Sequence, residues 1–172
     1  MVNRRQQHPA NLDDTALMGE CRVSPTRRSG PGGQRRNKVQ TAVNITHLPT
    51  GIRAEASRRR SQAQNHRIAV FGLRLKLAVQ VRTPCAAGSS PSALWLSRCR
   101  GGKIAVNTSH GDYPALLAEA LDALPGHGWD PKPAAAALGC TTTQLVRFLA
   151  SHQPALGQVN RHRADLDKYA LH

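Results

Sequence analysis

Gly30-Pro31-Gly32-Gly33-Gln34 is the stretch of this chain whose residue types could do chemistry. Paired glycines let the backbone fold tightly, so that the Gln34 side-chain amide and backbone N–H project into a confined space and orient a water molecule or an oxyanion. By itself Gly32-Gly33-Gln34 reads more readily as a flexible linker that ends in glutamine. Glutamine does not titrate, which leaves positioning and electrostatic orientation as its chemical roles. No carboxylate, histidine or cysteine is arranged beside it as a general base or nucleophile. No Gly-Lys-Ser or Gly-Lys-Thr follows, which excludes a phosphate-cradling loop of that kind. His47 falls in an alternating segment just before a turn, where a structural hydrogen-bonding role is expected. The cysteines at 21, 85, 99 and 140 form no C-x-x-C pair and have no histidine at ligand spacing. Neither a metal site nor a disulfide framework is expected, no cofactor is implied, and the thiols read as those of a cytoplasmic protein.

The elements that must hold this loop are legible on both sides of it. Residues 1–10 are polar and basic and are expected to be disordered. Leu12 to Cys21 suits a short helix capped by Asn11 or Asp13, and Arg22 to Arg28 an extended segment. Asn37 to Ala42 suits another short helix. Val43-Asn44-Ile45-Thr46-His47 and Ile52-Arg53-Ala54-Glu55-Ala56 alternate with period 2 around Leu48-Pro49-Thr50-Gly51, which predicts a hairpin. From Ser61, a candidate N-cap, Gln64, Ile68, Phe71, Leu75 and Ala78 recur at steps of 4, 3, 4 and 3 and predict one buried helix face.

Residues 83–92 mix Pro, Gly and Ser without charge, as a linker does. Beyond them, Gly101-Gly102 can close a second short hairpin, or Leu94-Trp95-Leu96 can dock back onto the first domain. The rest reads as helices: Pro114 to Leu124 stopped by Gly126, Pro131 to Leu138 stopped by Gly139, Thr142 to Ser151, and Pro154 to about Tyr169. The third begins with Thr141 as N-cap and Gln144 at the capping-box position. The fold class is α+β: a small domain at 11–82 with a hairpin-containing sheet packed on a helix, a linker at 83–112, and a small helical bundle at 113–172.

Charge separates the two halves. The net charge is +14, and residues 1–82 hold 16 Lys and Arg against 4 Asp and Glu, whereas residues 83–172 hold 8 against 6. A field of that strength in the first half points to a polyanion, and nucleic acid fits better than membrane, because no apolar run approaches the roughly 20 residues of a spanning helix. Hydrophobic residues make up 40% of the chain but aromatics only 3%, so two small aliphatic cores are expected rather than one large one. No secretory signal is visible at the N-terminus.

Around the loop, Arg28-Ser29-Gly30-Pro31-Gly32-Gly33-Gln34, Asn37-Lys38, Thr41-Ala42-Val43, Thr46-His47-Leu48-Pro49-Thr50-Gly51-Ile52, Arg60-Ser61-Gln62 and Asn65 occur in order. This run, over about residues 20–80, resembles the catalytic GGQ domain of class I peptide chain release factors and their codon-independent ribosome-rescue relatives. The resemblance implies that the loop enters the peptidyl transferase centre of the large-subunit rRNA. There Gln34, with Gly32 and Gly33 shaping its backbone, places the water that attacks the ester of peptidyl-tRNA. It also implies Gln34 as the site of N5-methylation by a glutamine methyltransferase. Arg35 and Arg36 stand where relatives commonly have His-Val, which replaces a small apolar contact by two cations. The residues expected to meet RNA are Arg27, Arg28, Arg35, Arg36, Lys38, Arg58, Arg59, Arg60, Arg67 and Arg74, with Lys76 beside them. A monomer working on the ribosome is the expected state.

The chain has no room for the stop-codon-reading domains of full-length release factors and no Lys-rich tail in its second half, so codon-independent action is expected. Residues 134–149, with Gly139 in the turn, look like a helix-turn-helix. A helical bundle is preferred over a sequence-specific DNA reader, because the second helix offers only Arg147 as a strong base reader. A contact with rRNA, mRNA or a ribosomal protein through Arg161, His162 and Arg163 is a further possibility. Two other readings of the whole chain remain open: a ribosome- or RNA-binding protein without hydrolytic activity, and a DNA-binding regulator.

Overall fold

Alternating apolar and polar residues build the first sheet. The structure, a computed structural model, describes residues 7–26, 41–83 and 90–172. Strands β1 (Cys21–Thr26), β2 (Ala42–His47) and β3 (Arg53–Ala56) pair antiparallel in that order, with Val23 opposite Ile45 and Ile45 opposite Ala54. Because successive side chains alternate faces, Val43, Ile45, His47, Ala54 and Ala56 are buried together, and Asn44, Thr46, Arg53 and Glu55 share the other face. Gly51 closes the β2–β3 turn at φ +72°, which a side chain would resist, and its N–H donates to the His47 carbonyl at 2.8 Å.

Before the sheet, α1 (Asp14–Gly19) is capped by Asp13, whose carboxylate accepts the Ala16 N–H at 2.8 Å, so Asp13 rather than Asn11 is the cap. The start of the chain is not disordered throughout its first ten residues. Pro9–Asn11 form a 3-10 turn, and His8 and Ala10 are buried. The helix expected at Asn37 to Ala42 lies largely outside the described residues, and Ala42 itself begins β2.

Helix α2 (Gln62–Gln80) forms where expected, but the buried stripe is a different one. Asn65, Ala69, Val70, Leu73 and Leu77 face inward, while Gln64 is exposed, Ile68 is 45% exposed, Phe71 and Leu75 are half-buried, and Ala78 alone of the expected stripe is fully buried. Residues 68–71 are all apolar, and 73, 75 and 77–79 are apolar too, so apolar side chains cover nearly every direction of the helix and do not mark a face. The sheet selects the row that contains Asn65.

The chain divides into two units, Pro9–Leu77 and a second made of Ala78–His172 with His8. That division falls earlier than the uncharged 83–92 stretch. The second unit contains α3 (Ala93–Arg98), the short pair β4 (Cys99–Arg100) and β5 (Lys103–Ile104), α4 (Tyr113–Ala123), α5 (Pro131–Ala137), α6 (Thr142–Ala150) and α7 (Gln153–Ala164). Gly101 and Gly102, at φ +56° and +75°, close the β4–β5 hairpin. Trp95 belongs to this unit's core: it is fully buried, its indole N–H donates to the Leu138 carbonyl at 2.7 Å, and Phe148 meets it edge-on at 6.1 Å. Tyr113 packs edge-on to the same Phe148 at 5.3 Å, and Leu116, Leu121, Leu145 and Leu149 are fully buried in the same unit. A fully buried side chain of this size is worth about 1.5–3 kcal/mol.

Three helix ends differ from expectation. After α4 a 3-10 turn, Pro125–His127, intervenes, and the left-handed residues are Gly128 and Trp129, at φ +60° and +58°, rather than Gly126. Thr141 caps α6 by accepting the Gln144 N–H at 3.2 Å, but the Gln144 side chain accepts the Ile104 N–H at 3.4 Å instead of completing a capping box. Helix α7 stops at Ala164, well before Tyr169, because side chains fold the terminus back. Arg163 donates to the Tyr169 and Trp129 carbonyls, and Asn160 bonds both the N–H and the carbonyl of Leu171.

Two buried titratable groups of the second unit pull its stability in opposite directions with pH. Burial lowers the His8 imidazole from 6.5 to about 4, against the hydrogen bond to the Val81 carbonyl. Its contribution is therefore complete above 6.5 and is lost as pH falls toward 4. Burial pushes the Asp122 carboxyl from 3.8 up to about 6, against the pull of Arg82, whose guanidinium donates to it at 2.9 Å. That contribution is complete below 3.8 and is lost as pH rises through 6. Between pH 7 and pH 5 the two offset each other in the wild type. Asp122→Asn removes the compensating member, so its Tm is expected to fall more between pH 7 and pH 5 than the wild-type Tm does, as read by circular dichroism. Equal falls would contradict the assignment.

Candidate functional site

The chain leaves the first sheet after Thr26 and re-enters it at Ala42, and these two residues are register partners. The segment between them therefore begins and ends at one end of the sheet. That segment contains Gly32, Gly33 and Gln34 together with Arg27, Arg28, Arg35, Arg36 and Lys38. All eight lie outside the described residues.

What is described is the foot of that segment. Asn65 is fully buried, and each polar atom of its amide is used. Its Nδ2 donates to the Thr41 carbonyl at 2.6 Å and to the Arg59 carbonyl at 2.9 Å, while its Oδ1 accepts the Arg59 N–H at 2.9 Å. Thr41 immediately precedes β2, and Arg59 is the middle residue of the bend Arg58–Arg60 before α2. One amide thus brings the returning end of the segment and the arginine-rich bend within hydrogen-bonding reach of the same group. Asparagine suits this place because it offers a two-proton donor and an acceptor on a short stem, a set no apolar side chain supplies.

A second lock fixes the far end of β2. His47 is buried, with Nδ1 at 2.8 Å from the Thr50 hydroxyl and Nε2 at 3.0 Å from the Glu20 carboxylate. The ring therefore ties the end of α1 to the β2–β3 turn, the structural role expected of it, and both its nitrogens are occupied.

Arg58, Arg59 and Arg60 are exposed at the bend, and Arg67 is exposed on α2. Arg74 does not join them. Its side chain is only 12% exposed, and it donates to the Ala10 carbonyl at 2.8 Å and to Asp14 at 2.7 Å, so its charge serves to tie α2 to α1. Lys76 donates to the Arg53 carbonyl at 2.7 Å. Two further arginines on the open face of the sheet were not among the expected RNA contacts. Arg22 and Arg53 are both exposed and both pair with Thr46, one from each side. Period-2 alternation would have placed them outward. Among the described residues no group of three or more His, Cys, Asp or Glu could hold a metal ion, and no helix is long and apolar enough to cross a membrane.

A small antiparallel sheet packed on one helix, with an exposed Arg58–Arg60 bend beside the end where the chain leaves and re-enters the sheet, defines a class of small α+β domain. Residues 15–90 match the RF-1 domain. Peptide chain release factor 1 of Acidiphilium cryptum is 46% identical over 78 residues, covering 45% of this chain and 22% of that protein. Peptide chain release factor 2 of Paramagnetospirillum magneticum is 50% identical over 70 residues, covering 38% and 19%, and the chloroplastic release factor PrfB1 of Arabidopsis thaliana is 49% identical over 57 residues, covering 33% and 12%. In residues 15–90 the chain carries the GGQ domain of the class I peptide chain release factor family. It spans about a fifth or less of the length of these curated relatives.

Proposed function

We propose that this chain is a ribosome-dependent peptidyl-tRNA hydrolase of the translation-termination class, acting without a codon in the rescue of stalled ribosomes. The observation that carries the reading is the RF-1 domain match over residues 15–90, with Gly32-Gly33-Gln34 inside it. Gln34 positions the attacking water in a site built largely by large-subunit rRNA. The exposed Arg58, Arg59, Arg60 and Arg67 contact the rRNA backbone, together with Arg27, Arg28, Arg35, Arg36 and Lys38. The partners are the ribosome and peptidyl-tRNA in the cytoplasm, the protein acts as a monomer, and a glutamine methyltransferase modifies Gln34 at N5. Support for the geometry comes from Asn65, which secures the foot of the catalytic segment beside the basic bend.

Codon independence gives the test. Ribosomes carrying labelled peptidyl-tRNA are prepared with a truncated message, a sense codon or a stop codon in the A site, and released peptide is counted after addition of the protein. The stop codon is expected to confer no advantage, with release fastest on the truncated message. Release confined to the stop codon would overturn the rescue reading and leave ordinary termination.

A further inference from the structure

Residues 83–172 carry little net charge, but folding sorts their charges. Four of the six carboxylates are engaged within the unit. Asp112 accepts Arg98 at 2.6 Å, Glu119 accepts the Ser92 N–H and hydroxyl at 2.7 and 2.5 Å, Asp122 accepts Arg82, and Asp130 caps α5 through the Lys132 N–H at 2.9 Å. The other two, Asp165 and Asp167, follow α7. Arg100, Lys103 and Arg147, by contrast, are exposed.

These three cations belong to one surface. The β4–β5 turn is fixed to the α5–α6 turn, since the Thr141 N–H donates to the Gly102 carbonyl at 3.1 Å and Gly102 and Cys140 form a parallel bridge. The Ile104 N–H donates to Gln144, in the first turn of α6. Arg100 and Lys103 are register partners, so their side chains leave the same face of the ribbon. Arg147 follows Gln144 by three residues and so continues the hairpin side of α6, with exposed Thr143 one turn before it.

We propose that this face, Arg100 and Lys103 on the hairpin with Thr143 and Arg147 on α6, docks on the phosphate backbone of a helical RNA. Three cations and a hydroxyl suit phosphate oxygens, and a single arginine on the helix is too little for reading bases. A backbone contact of this kind matches A-form RNA, whose deep major groove side chains cannot read. The choice of RNA over DNA rests on the proposed ribosomal function; the surface itself does not.

The intact chain is titrated with a labelled RNA duplex of roughly 16 base pairs, and with DNA of the same sequence, across a salt series by fluorescence anisotropy. Residues 1–82 also bind, and they contribute equally to every variant. The triple variant Arg100→Ala, Lys103→Ala, Arg147→Ala is expected to flatten the plot of log affinity against log salt for RNA by about two to three units, since each neutralised phosphate adds about 0.9. Lys132→Ala, an exposed cation at the opposite end of α5, removes one charge and is expected to leave the slope unchanged. Arg100→Lys with Arg147→Lys should keep the wild-type slope, which separates charge from fold. A loss on RNA, with or without one on DNA, supports the proposal. An unchanged RNA slope in the triple variant, or a loss confined to DNA, would overturn it. The assay contains no ribosome, so its failure leaves the hydrolase reading standing, and failure of peptide release leaves this face standing.

Discussion

Asn65→Ala is expected to unfold the first unit at a markedly lower temperature than the wild type. The substitution removes a side chain that is fully buried and leaves the Thr41 carbonyl, the Arg59 carbonyl and the Arg59 N–H without their partner. These backbone groups are only part-buried, so stranding each costs toward the lower end of about 1–3 kcal/mol, and three in one spot do not add fully; a loss of about 2–3 kcal/mol is expected. For a unit of this size that corresponds to a Tm lower by roughly 10–20 °C. Asn65→Asp keeps the shape but turns an oxygen toward two carbonyl oxygens. It should be destabilised at neutral pH and recover in part in acid, where a protonated carboxyl can donate once. Gln64→Ala, one residue away and exposed, should stay within about 0.5 kcal/mol of the wild type. Melting followed by circular dichroism reads all three. An Asn65→Ala variant that melts with the wild type would remove Asn65 from its place at the foot of the Gly-Gly-Gln segment.

Much of this unit was legible in the sequence, and what was not has physical causes. The strands β2 and β3 and the turn between them follow from strict alternation around Pro49 and Gly51, and the order of motifs from Arg28 to Asn65 identified the family. The inward face of α2 was not legible, because apolar side chains surround most of the helix and its most important buried residue is polar. Arg74 read as one more cation on a basic helix. Its burial against Asp14 and Ala10 depends on how α1 folds back, a contact 60 residues distant in sequence. In the second unit the helices announced themselves through Thr141, Pro131 and Gly139. The end of α7 did not, since Arg163 and Asn160 hold the terminus through bonds to backbone groups that no local pattern encodes. The sorting of charge was equally hidden: carboxylates used as caps and internal partners count in a net charge but not on a surface.

Gln34→Ala should abolish peptide release while leaving ribosome association intact. Alanine keeps the backbone N–H of the loop and removes only the side-chain amide, so the comparison isolates the group proposed to place the water. Loss of one preorganised donor at a reacting centre typically costs a factor of about 10²–10³ in rate. Binding is expected to persist, because the rRNA contacts proposed above are made by cations that this substitution does not touch. Glutamine cannot titrate, so its removal should lower the rate evenly across neutral pH and leave the shape of the pH profile as it was.

Single-turnover release of labelled peptide from ribosomes stalled on a truncated message, with co-sedimentation measured on the same samples, puts the central claim to its most direct trial. Both proteins should pellet with the ribosomes, and only the wild type should release peptide above background. Equal release by wild type and Gln34→Ala at equal occupancy would contradict the role assigned to Gln34.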